Sequence, residues 1–211
     1  MKCLEGVNVM NPEDVIANNG VTQQTFVQLY ADSETKDPWY VNESQAERLR
    51  IRKLEGIMLQ IFPKYAKVLD YGSGTTKIGD GLPFKFVRYD FALTPEFDVF
   101  FPPEIKYDAV LISNVMCYYT PEERQELRTK IMKLVRKGGW VFECEPIRGV
   151  MSIPFNEFVD DMKQVVEIYK VDLMSFDWYD DRKFRDSPMY AVKFAKELGE
   201  PIQVMITGRK L

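Results

Sequence analysis

VLDYGSGTTKIGDG, Val68 to Gly81, is the stretch that decides the fold. An apolar run ends in an acid, Asp70, and glycines follow at Gly72 and Gly74. Glycines at such a place let the backbone turn sharply and come close to a ligand. The expected local structure is a strand, a tight turn and the start of a crossover. The next strand, KFVRYD from Lys85 to Asp90, also ends in an acid. A carboxylate there can accept hydrogen bonds from both hydroxyls of a ribose.

Downstream the alternation continues. YDAVLISN, Tyr107 to Asn114, is apolar almost throughout, as a strand buried on both faces must be. A helix follows, with Thr120 as its cap, Pro121 in the first position and Glu123 completing a capping box. Leu127, Ile131, Leu134 and Val135 form its apolar stripe, and Gly138 and Gly139 end it. GWVFECEP, Gly139 to Pro146, is the fourth strand. The pattern then predicts a helix from about Pro154 to Tyr169, with Phe155, Phe158, Met162, Val165 and Tyr169 on one face. A strand from Val171 to Phe176, a polar aromatic loop, a helix from Pro188 to Leu198 and a last strand from Ile202 to Gly208 complete the chain.

Upstream, a lead segment holds a helix at Gln23 to Tyr30 and a turn-rich stretch broken by Pro38. Ser44 and Glu47 form a second capping box. Leu54, Ile57, Met58 and Ile61 make the buried stripe of the helix that follows; Arg48, Arg50, Arg52 and Lys53 form its solvated face. Strands alternating with helices imply right-handed crossovers. The expected fold is therefore α/β: a Rossmann-like open sheet, mostly parallel, with helices on both faces and a final antiparallel strand. One domain is expected over residues 1–211, with a lead at 1–43 and an insertion at 176–200.

Composition narrows the chemistry. The chain has 211 residues, 45% hydrophobic and 28% charged, which suits a globular core without disulfides or metals. It has no histidine, so His-based triads and His-ligated zinc are out. Proton transfer must rest on Asp, Glu, Tyr, Lys, Cys or water. The net charge of −4 argues against non-specific nucleic-acid binding. Cys3, Cys117 and Cys144 are widely spaced and fit a reduced compartment. The N-terminus lacks a signal-peptide core, and no apolar run nears a membrane span. A soluble, cytoplasmic protein is expected.

The ligand is read from the acids. A dinucleotide fingerprint wants a third glycine where Lys77 stands, and no P-loop lysine follows the glycines. Asp70 is unwelcome beside a diphosphate on a helix start. It suits a ligand with a cationic end, such as the amino-acid part of S-adenosyl-L-methionine (SAM).

With these motifs the chain resembles the class I SAM-dependent methyltransferases. VLDYGSG is similar to their first motif and RYD to their second. YDAVLISNVMCYYTPEE is similar to their fourth strand and the loop after it, and LVRKGGWVFECEP to their fifth. DPWYVNESQAERLRIRKL adds a looser likeness to nodulation-type N-methyltransferases, and YDFALTPEFDVFF one to compact phage and bacterial methyltransferases. The resemblance spans about Glu43 to Pro146. It implies SAM as cofactor, held by Asp70, Gly72, Gly74, Asp90, Phe91, Asn114 and Trp39, with Trp39 and Tyr40 in a lid. It implies Tyr118 and Tyr119 beside the methyl-transfer pocket, with Glu145 as an acid or base facing the acceptor; no metal is implied.

The chain also departs from the family. Thr76 replaces the last glycine of the first motif, KIGDGLPF allows only one or two turns of crossover helix, and the usual helix between Asp90 and Tyr107 is missing. Asp98 is a candidate adenine-binding acid. The loop with Asp177, Trp178, Tyr179, Asp180 and Asp181 is a candidate acceptor wall. The favoured expectation is methyl transfer to a small-molecule N or O acceptor. Nucleic-acid methylation and a non-catalytic partner or regulatory protein are the alternatives.

Overall fold

The computed structural model describes residues 12–33, 45–75, 78–93, 106–147, 151–174 and 203–211. Helix α1 is Pro12–Asn19, α2 is Gln23–Asp32 and α3 is Gln45–Ile61. Strands β1 (Lys67–Tyr71), β2 (Lys85–Tyr89) and β3 (Tyr107–Ser113) follow. A short 3₁₀ turn, Met116–Tyr118, leads to α4 (Pro121–Met132). Strand β4 (Val135–Pro146), α5 (Phe155–Lys163), β5 (Val166–Met174) and β6 (Gln203–Lys210) complete the order.

The strands form one sheet in the order β2-β1-β3-β4-β6-β5. β1 pairs in parallel with β2 and β3, and β3 with β4. β6 runs antiparallel between β4 and β5. Alternation along each strand sends successive side chains to opposite faces. Leu69, Val110, Ile112, Val141, Val204 and Ile206 meet Ile131 and Met132 of α4 and Phe158 and Met162 of α5. Val68, Ala109, Leu111, Phe142, Cys144 and Met205 meet Leu54, Ile57 and Met58 of α3. Both faces are thus covered by helices, which is the architecture the sequence implies.

Four boundaries differ from the sequence reading. The Thr120 capping box forms, but α4 stops at Met132, where Lys210 Nζ caps the Met132 carbonyl at 2.6 Å and Lys106 caps Lys133. Gly138 and Gly139 lie inside β4, where the register jumps between Tyr107 and Ala109. A Cβ at Gly139 would sit 3.0 Å from the Asp108 carbonyl, so the glycine serves strand packing. The helix expected to reach Tyr169 ends at Lys163. VEIYKVDLM is a strand instead, β-branched and apolar residues alternating with polar ones, with Tyr169 exposed on it.

Helix α1 was not legible as a helix, and the short crossover helix is absent among the described residues of the β1–β2 connection. Trp39, Tyr40, Asp98, the 177–181 loop and the expected helix at 188–198 lie outside the described residues. Among the described residues no helix is long and apolar enough to cross a membrane.

Candidate functional site

The chain leaves β1 toward β2 on one side and returns to β3 on the other. The strand order therefore reverses between β1 and β3, and this topology places a ligand crevice outside their carboxyl ends. Open α/β sheets bind ligands at such a switch point. Asp70 stands there, buried at the end of β1.

The glycine turn is tied down by its neighbours. Gly72 N–H and Ser73 N–H both donate to the Tyr89 carbonyl, at 2.7 and 3.0 Å. Gly72 has φ +71°, and a Cβ there would lie 2.3 Å from Val115 Cγ2. Gly74 has φ +51°, and its Cβ position is 2.9 Å from the Tyr30 hydroxyl. Both left-handed conformations and both close approaches require glycine.

Asp90, just past β2, is also buried. Its Oδ2 accepts from Gly74 N–H at 3.1 Å, and its Oδ1 from Ala92 and Leu93 N–H at 2.9 and 3.2 Å. A carboxylate offers about four acceptor positions. Three backbone amides already engage it, so a bound ribose would share this carboxylate with the turn. Asp90 therefore builds the site before it binds anything.

Opposite, β3 ends in Asn114 at φ +55°, a left-handed position that Asn tolerates. Its Oδ1 accepts from Gln203 Nε2 at 3.1 Å, so β6 joins the crevice wall. Tyr118 and Tyr119 follow, both half-buried. The Tyr119 hydroxyl is pushed up to about 12 by burial, then by the charges of Glu123, Asp90 and Cys117. It stays protonated near neutral pH and can donate a hydrogen bond; it is not a base.

Glu145 is engaged by the loop that follows β3. It is fully buried at the end of β4, and its two oxygens accept the N–H groups of Val115, Met116 and Cys117 at 3.0–3.2 Å. Its contacts among the described residues are these three backbone amides, and the expected acid–base role is not among them.

Sequence reasoning missed the contribution of α2. Phe26 packs on Phe91 with ring centroids 5.1 Å apart and on Tyr118 at 5.5 Å. Gln23 Nε2 donates to the Phe91 carbonyl at 2.5 Å. Ile16, Leu29, Tyr30 and Ala92 close the cluster. The available signal was the apolar spacing Phe26, Leu29, Tyr30 behind the Thr22 cap. Asp70, Gly72, Gly74, Asp90, Phe91, Asn114, Tyr118 and Tyr119 thus gather at one end of the sheet. Trp39 lies outside the described residues. Among the described residues no cluster of Cys, Asp or Glu could hold a metal ion.

No family model matches the sequence, and no curated protein matches it. Solved structures do. One is the N-methyltransferase NodS from Bradyrhizobium japonicum WM9 with S-adenosyl-L-homocysteine (SAH), at TM-score 0.64 and 11% identity, covering 89% of this chain and 98% of that one. The chain has the fold of a class I SAM-dependent methyltransferase. The same methyltransferase fold is met in the 1,6-didemethyltoxoflavin-N1-methyltransferase of Burkholderia thailandensis, at TM-score 0.60 and 14% identity over 97% and 92% of the two chains. Magnesium protoporphyrin IX methyltransferase from Synechocystis PCC 6803, solved with SAM, gives TM-score 0.53 and 10% identity over 98% and 100%.

Proposed function

We propose that this chain is a SAM-dependent methyltransferase with a small-molecule acceptor. The observation that carries the reading is the switch point itself: buried Asp70 and Asp90 end adjacent strands on either side of a left-handed glycine turn. This donor set suits SAM. In this reading Asp70 takes the cationic ammonium, Asp90 the ribose hydroxyls and Phe91 the base, and the turn allows close backbone approach. The three small-molecule methyltransferases that share the fold support the same reading.

SAM, when bound, supplies an electrophilic methyl group on a sulfonium. The protein then has to orient and enclose, and orientation can contribute roughly 7–11 kcal/mol. Phe26 and Tyr118 pack edge to face and would shield one side. Tyr119 presents a neutral phenol whose surroundings include the Asp90 charge. The acceptor supplies the nucleophile, and in a histidine-free chain any proton it sheds would pass to Asp, Glu, Tyr, Lys, Cys or water. The acidic chain, with net charge −4, favours an acceptor other than nucleic acid.

The test is transfer of labelled methyl from SAM to separate pools of metabolites and nucleic acids. Label in a small molecule supports the proposal. Label in nucleic acid alone overturns the acceptor class, and SAM binding without transfer to any pool favours a non-catalytic role.

A further inference from the structure

Residues 114–119 carry Asn114, Tyr118 and Tyr119 to the crevice, yet their regular structure is one 3₁₀ turn over Met116–Tyr118. That turn has no side-chain cap of its own. Glu145 supplies one from another strand. Its Oε1 accepts from Val115 N–H at 3.1 Å and Met116 N–H at 3.0 Å, and its Oε2 from Cys117 N–H at 3.2 Å. At the far end, Arg124 Nη1 donates to the Tyr119 carbonyl at 2.9 Å. Arg124 is itself held by Asp161 at 3.2 Å and by Glu157.

The position of this loop sets two contacts that shape the crevice. Val115 Cγ2 fills the space beside Gly72, and the Tyr118 ring meets Phe26 of α2. A shift of the three tethered amides therefore moves both walls. Burying a carboxylate is costly unless its hydrogen bonds are made. Among the described residues, the buried cation Arg128 is committed to Glu143 at 2.5–3.1 Å and to Asp161 at 2.7 Å. Among the described residues, the backbone amides of the loop are the contacts that satisfy the buried Glu145 carboxyl group.

We propose that Glu145 is a positioning residue, whose carboxyl oxygens clamp the amides of residues 115–117 and so hold Val115 against the glycine turn and Tyr118 against α2. The clamp is independent of the ligand; its effect on SAM or SAH rests on the function proposed above.

The experiment compares Glu145→Gln, Glu145→Asp and a control core variant, Phe158→Leu, in the full chain. Amide hydrogen exchange and calorimetric titration with SAH are the readouts. In Glu145→Gln, exchange at residues 115–117 should speed up about 10- to 100-fold, while β1 and β3 stay protected. SAH affinity should fall about ten-fold or more. Glu145→Asp keeps the charge but shortens its reach, and should give the same local pattern in milder form. It stands in if the Gln variant does not fold. Phe158→Leu should lower the melting temperature without either effect. The clamp is overturned if exchange rises evenly across the sheet, or if a wild type that binds SAH is matched by Glu145→Gln. A wild type that fails to bind SAH overturns the SAM reading, and the exchange pattern alone then decides the clamp.

Discussion

Burial and the charge of Glu143 push the Glu145 carboxyl from its ordinary value near 4.5 up to about 7, against the pull of the three loop amides. The folded value is above the unfolded one, so the native state binds more protons in between. Stability from this group is complete below about pH 4.5 and is lost as pH rises through 7. The loss is on the order of 3 kcal/mol, reduced to the extent that Arg128 neutralises Glu143. Glu145→Gln should flatten this limb, and urea unfolding of both proteins between pH 4.5 and 8 measures the difference. A second prediction concerns Arg128, which is fully buried against Glu143. Arg128→Met alone should cost about 3–5 kcal/mol, because it strands a buried carboxylate. Adding Glu143→Leu should recover much of that in the same unfolding assay. None of this network was legible in the sequence. Arginines on a helix read as a solvated face, and Glu145 meets amides some 30 positions away. Asp70, Gly72, Gly74 and Asp90 were legible, because strand, acid and turn are neighbours in sequence.

Elements follow the same division between local and distant information. The stripe Leu54, Ile57, Met58 named the buried face of α3, since a helix repeats every 3.6 residues whatever it packs on. The apolar spacing from Phe155 to Tyr169 fitted one helix equally well, yet the chain switches to a strand after Lys163 because β6 offers an edge to pair. Helix α2 was visible, but its docking over the crevice was not. Phe26 is its anchor, 6% exposed between Phe91 and Tyr118. Phe26→Ala should remove about 3–5 kcal/mol from that docking. The loss should appear as faster amide exchange confined to residues 12–33, with the sheet unaffected. Uniform destabilisation of the sheet would mean that α2 folds as part of the main core.

At the scale of the molecule, the strand order puts the reversal point beside β1 and the ligand crevice with it. Alternation of strands and helices gave the layers, while the place of β6 between β4 and β5 depends on pairing that no local pattern carries. The glycine turn couples this topology to stability. Because Gly72 faces Val115 at 2.3 Å from a would-be Cβ, Gly72→Val should unfold or distort the chain rather than merely block a ligand, as circular dichroism would show. Asp70→Asn is the gentler probe, since it keeps the shape and removes the charge. Calorimetric titration of the wild type and Asp70→Asn with SAM tests the central claim most directly. The account predicts saturable one-to-one binding by the wild type, weakened about 10- to 100-fold in Asp70→Asn as a charged contact is lost. A folded wild type that takes up no SAM, or an Asp70→Asn variant that binds it equally well, would contradict the assignment of this crevice.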